Sequence, residues 1–230
     1  MRLDSTVSLS EAGGDLLRFL GPKDREGAGL IPLPVMLAAE RAFAALLLDG
    51  TLVQAVRVGD HEGLCLLGPG DVVTPTVVKR SELVVSSICR ASSETRLAIL
   101  GRQFLLATRR WPLVAAGLHA RQGEQSDRLV LQAMICQLPR VDDRVLSLLW
   151  LFAERWGEIT PEGATAPIAL THGALGGLVG ARRPTVTLAL SALRRRGALV
   201  RTERGWRVLE RPRSIGRRSK VPEPAEVAVT

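Results

Sequence analysis

Between residues 30 and 100 the apolar positions come in short runs: 52–58, 64–67, 72–78, 83–88 and 96–100. Gly50, Gly59, Gly63, Gly68, Pro69, Gly70 and Pro75 punctuate them. Short, β-branched runs bounded by turn formers predict strands of a small barrel or sandwich. Residues 34–48 depart from this texture, because their Ala, Leu and Met content favours helix. Residues 1–25 are polar apart from a short amphipathic piece at 16–20, and read as a loosely held leading segment.

Past Gly101 the period lengthens. Residues 103–110 read as a short helix, and Pro112 suits the first turn of a longer one running to about Gln137. Leu113, Ala116, Ala120, Gly123, Asp127, Val130 and Met134 follow a roughly seven-residue rhythm along it. Two readings stand for such a thin apolar stripe: pairing with a second copy of the chain, or an amphipathic helix lying on its own domain. Pro139 ends that helix and Asp142 is the expected N-cap of the next. Val145, Leu148, Leu149 and Phe152 give the latter a core face at helical spacing. Residues 157–167 read as loop and 168–170 as a short strand.

Two more helices then follow in close order. Thr171 is the expected N-cap of the first, with Ala174, Leu175, Leu178 and Val179 as its apolar face. Gly180 stands where a tight turn needs a positive φ. The second starts near Arg183 and Pro184; Val186, Ala189, Leu190 and Leu193 face the core, while Pro184, Leu188, Ser191 and Arg195 face away. Gly197 closes it, and residues 198–201 and 206–209 form a basic β-hairpin. Two helices across such a turn, followed by a hairpin, make a winged helix-turn-helix.

Charge sharpens this picture. Of 31 Lys and Arg residues, 13 fall within 181–220 beside only Glu203 and Glu210, a local net charge of +11. The remaining chain holds 18 basic and 21 acidic residues. Such asymmetry calls for a polyanionic partner at that end, a nucleic acid or an anionic membrane surface; a merely solvated basic tail is the plainer reading of residues 211–220. Aromatic residues make up 3%, too few for base-stacking platforms. Cys65, Cys89 and Cys136 stand far apart, without metal or disulfide spacing, and read as core residues of a reducing compartment. No signal peptide and no spanning apolar run is recognisable, so a cytoplasmic location is expected and a membrane partner is not. Glu40, Asp60, Glu62 and Asp71 are scattered acids in no catalytic frame, and no nucleotide-loop, hydrolase or metalloprotease motif occurs; an enzyme is not expected.

From Leu170 to Leu199 the chain matches LT-x3-L-x2-LVG-x2-R-x-TV-x3-L-x2-L-x3-G-x-L. This segment resembles the winged helix-turn-helix of the Crp/Fnr transcription regulators, and the upstream order of short strands, GPGD at 68–71 and a long helix fits more loosely. The resemblance implies an α+β fold. It comprises a cyclic-nucleotide-binding-like β-barrel (jelly roll) over 26–110, a dimerisation helix over 111–138 and a DNA-binding domain over 139–210, followed by a disordered basic tail over 211–230. It also implies a sequence-specific regulator of double-stranded DNA that acts as a homodimer, with RNA polymerase a further candidate partner. A winged-helix protein-interaction module, or a regulator sensing an unidentified small ligand, is the alternative.

By that resemblance Arg183 corresponds to the family's base-reading arginine, able to donate two hydrogen bonds to guanine O6 and N7. Thr171, Arg182, Thr185 and Thr187 are candidates for phosphate or base contacts, and Arg194, Arg195, Arg196, Arg201 and Arg204 for phosphates. Pro184 and Leu188 replace the Glu and second Arg of catabolite-activator-type members, so that operator does not carry over. Leu188 is left with apolar contact, to a thymine methyl or to the protein's own N-terminal domain. Cyclic-nucleotide-binding relatives carry a G-E-x-A/L then R-S/T phosphate cassette; here Lys79, Arg80 and Ser81 are the only remnant, and cyclic AMP is not expected to bind. The first cysteine is Cys65, too late for an N-terminal iron–sulfur cluster. His61 and His119 read as surface histidines before they read as haem ligands, and no cofactor is expected.

Overall fold

The structure, a computed structural model, describes residues 17–20, 41–74, 85–91 and 95–212. The chain divides into two compact units, Met1–Leu131 and Gln132–Thr230, with the division inside one long helix. Each is described by itself. Outside the described residues lie the helix expectation at 34–40, the cassette remnant at 79–81, the tail from 213 and most of the leading segment.

In the first unit, strands β1 (Leu17–Leu20), β2 (Ala44–Asp49), β5 (Val72–Val73) and β7 (Thr95–Leu100) form an antiparallel sheet ordered β1-β7-β2-β5. Strands β3 (Leu52–Val58), β4 (His61–Leu67) and β6 (Val85–Ala91) form a second, ordered β4-β3-β6. Among the described residues these strands make two open sheets, in keeping with the expected jelly roll, which is itself a double-sheet architecture. Leu17–Leu20, assigned by sequence to a loose segment, pairs with β7.

Residues 44–48, expected as helix, are strand β2. The reason is packing on both faces. Ala45 and Leu47 join Leu97, Ile99, Val73, Leu52 and Leu67, with Cys65 and Cys89 packed alongside. Ala44, Leu46 and Leu48 face Ala98, Leu100, Phe104 and Leu118 on the other side. A strand covered on both faces needs no polar alternation, so its unbroken apolar run loses the period-two signature. Burial pushes the Cys65 thiol up to about 12 and the Cys89 thiol to about 11, which suits packing rather than reactivity.

Helix α1 (Arg102–Thr108) leads into α2 (Pro112–Cys136). The GPGD turn holds α2 by polar contacts. Asp71 is fully buried; its carboxylate accepts from Gly68 N at 2.8 Å and from the Arg128 guanidinium at 2.6 Å. Gln125 donates to Val72 O and accepts from Val72 N.

The second unit comprises the end of α2, then α3 (Val141–Trp156), β8 (Glu158–Thr160), β9 (Gly163–Ala166), α4 (His172–Val179), α5 (Arg183–Arg195), β10 (Leu199–Thr202) and β11 (Gly205–Val208). Its sheet is ordered β10-β11-β9-β8, so residues 157–167 are a hairpin rather than a loop. Residues 168–170 are not a strand; the pairing with β11 is made by Ala164–Ala166 just upstream. Val145, Leu148, Leu149 and Phe152 are buried as their spacing requires.

Asp142 is not the N-cap of α3: Arg140 holds that position without a side-chain cap, and Asp142 lies in the first turn. Its carboxylate is engaged instead by Arg140 (3.0 and 3.1 Å) and by Arg196 (3.2 Å). The hydrogen-bonded Arg140 guanidinium holds Asp142 below the usual carboxylate range, with Arg196 adding to the effect against the opposing cost of burial.

Candidate nucleic-acid interface

Local chemistry fixes the two helices of the turn. Thr171 Oγ1 accepts from Ala174 N at 3.1 Å, capping α4 as expected. At its other end Gly180 has φ 64° and ψ 41°, and Ala181 N donates back to Gly176 O. A residue with a Cβ is penalised in this left-handed conformation. Helix α5 then buries Val186, Ala189, Leu190 and Leu193 and leaves Pro184, Leu188, Ser191 and Arg195 exposed, the division its period dictates. It closes through Gly197 at φ 72°, with Gly197 N donating to Arg194 O and Ala198 N to Leu193 O.

The start of α5 is open to an anion. Arg182 is the N-cap without a side-chain cap, no acid lies in the first turn, and Pro184 removes one donor from it. The remaining early N–H groups and the positive end of the helix dipole sit beside two exposed guanidiniums, Arg182 and Arg183. Among the described residues neither has an acidic partner, nor do Arg194, Arg195 and Arg204. Arg196 differs, being held by Asp142 and by Glu210 at 3.0 Å. Arg201 lies 4.6 Å over the Trp206 ring, which keeps its charge on the face of the β10–β11 hairpin. Arg207 in the same hairpin is paired with Glu162. Thr185 is exposed.

Thr187 is engaged within the protein. Its hydroxyl donates to Arg183 O at 3.0 Å and lies 2.9 Å from His172 Nδ1. His172 therefore links the first turn of α4 to the second turn of α5. Sequence reasoning missed it, since a contact fifteen positions apart across a turn has no periodic signal.

Residues 143–213 match the family model for the Crp-like helix-turn-helix domain. No curated protein sequence matches the chain. Among solved structures, a CooA mutant from Carboxydothermus hydrogenoformans aligns with a TM-score of 0.66 at 17% identity, covering 93% of this chain and 94% of that one. The c-di-GMP-responsive regulator CLP of Xanthomonas campestris aligns at 0.60 and 14% identity, over 89% and 100%. TTHA1359 of Thermus thermophilus, a transcriptional regulator of the CRP/FNR family, aligns at 0.53 and 19% identity, over 78% and 86%. These likenesses give the fold.

Proposed function

We propose that this chain, which has the Crp/Fnr fold with a Crp-like helix-turn-helix domain, is a sequence-specific regulator of double-stranded DNA acting as a homodimer. The observation that carries this reading is the open start of α5: two guanidiniums without acidic partners among the described residues, beside backbone donors, on a helix whose opposite face is buried. In a major groove that end would present Arg183 to a base edge, with Arg182 and Thr185 beside it. Thr171, Arg194, Arg195, Arg201 and Arg204 would set position on phosphates, which carry no sequence information. Thr187 would act through Arg183, whose carbonyl it holds.

The homodimer is supported by α2. Leu113 is 82% exposed, Val130 and Met134 62% each, a stripe of apolar side chains that a second copy would cover. Control by cyclic AMP is not proposed, because residues 71–84 lack the Gly-Glu pair of the phosphate cassette. The second reading, a protein-interaction module, is separated by salt. In a fluorescence-anisotropy titration on a random-sequence duplex pool, log K against log salt should fall with a slope of about −3 or steeper, as several phosphates are neutralised. A flat slope, or no binding in dilute buffer, would favour the module.

A further inference from the structure

We infer that Leu188 selects thymine, reading its C5-methyl group from the middle of α5; the inference rests on the DNA-binding reading above. Leu188 is 72% exposed on a helix that buries every other leucine and valine it contains. Single exposed leucines are common on protein surfaces. This one lies between the exposed Arg182 and Arg183 at one end of the helix and Arg194 and Arg195 at the other. Those charges commit the face to a polyanion, and the groove of a duplex is the occupant they fit.

Short of Arg195, which is assigned to phosphate, the outward strip of α5 has little to offer a base by hydrogen bonding. Pro184, one turn before Leu188, has no N–H, and Leu188 has no polar side-chain atom. Ser191, one turn after, already donates its hydroxyl to Thr187 O at 2.9 Å. Discrimination along this strip must therefore come from apolar contact. The thymine methyl is the one apolar group on the major-groove edges of the base pairs. Over cytosine the same side chain would cover an amino group without a partner, a cost that adds to the preference.

The test starts from sites selected out of random duplex DNA by the full-length protein and by Leu188→Ala. The wild type should retain thymine at one position per half-site, and the variant should relax at that position alone. The wild type is then titrated against its selected duplex and against the same duplex with deoxyuridine at that position, which deletes only the methyl. Affinity should fall about fourfold per half-site for the wild type and not at all for Leu188→Ala. Selection of a site whose motif is the same for both proteins, or indifference of the wild type to uracil, overturns the inference and leaves the DNA-binding reading intact. Failure of the wild type to enrich any site overturns both. An unchanged motif with a lowered melting temperature would assign Leu188 to a contact within the protein.

Discussion

Helix α3 buries nine of its 16 residues and helix α2 buries none of its 25. Both are amphipathic in sequence, yet α3 packs within its own unit against α4, α5 and β9. Along α2 the attachments to described residues of the first unit include Leu118 against the sheet, and Gln125 and Arg128 by polar contacts. Leu113, Leu131, Val130 and Met134 are left to water. Exposed apolar positions beside ionic and amide contacts are what the proposed pairing through α2 rests on. The residues that hold α2 to the first unit, Leu118, Gln125 and Arg128, lie off the seven-residue stripe, whose Leu113, Val130 and Met134 are exposed.

Mutations sharpen that contrast. The largest loss is expected for Arg128→Ala, which takes the cationic partner from the buried Asp71 carboxylate: about 4 kcal/mol in urea unfolding. In α3, Leu148→Ala opens a cavity at a fully buried site and should cost about 3 kcal/mol by the same measurement.

Asp142→Asn removes charge from the bridge to Arg140 and Arg196 and should cost about 1.5 kcal/mol at neutral pH. Because the Asp142 pKa is depressed in the folded protein, its contribution is complete above the ordinary carboxylate range, about pH 4, and is lost as pH falls through the folded value. The stability gap between wild type and variant should accordingly close on acidification. A gap that widened would refute the bridge.

Met134→Asp should change the unfolding free energy of the isolated chain by less than about 0.5 kcal/mol, since the side chain is exposed. The same change should weaken self-association at least tenfold in sedimentation equilibrium. Unchanged association would remove α2 as the pairing surface and erase the contrast with α3.

The helix-turn-helix was legible because each of its signals is local. Val186, Ala189, Leu190 and Leu193 repeat at helical spacing on one covered face, and Gly180 marks a backbone that other residues resist. Strand β2 was illegible for the opposite reason, since Ala44–Leu48 is covered on both faces and reads alike as buried helix or strand. The β8–β9 hairpin was hidden by its own turn, where Pro161 and Gly163 outweigh a strand of three residues. Asp142 obeyed a sound capping preference but was claimed by two arginines, one of them fifty-four positions away. Within the candidate interface, the exposure of Pro184, Leu188, Ser191 and Arg195 followed from periodicity, whereas the engagement of Thr187 by His172 and of Arg196 by Glu210 required coordinates.

The most direct test of the central claim is to select bound sites from random duplexes with the wild type, Arg183→Ala and Arg201→Ala in parallel. If the start of α5 reads DNA, Arg183→Ala relaxes the preference at one base pair per half-site, worth about 1–3 kcal/mol of discrimination. Arg201→Ala should then keep the motif and bind every sequence more weakly. An Arg183→Ala protein that enriches the wild-type motif undiminished would contradict the account.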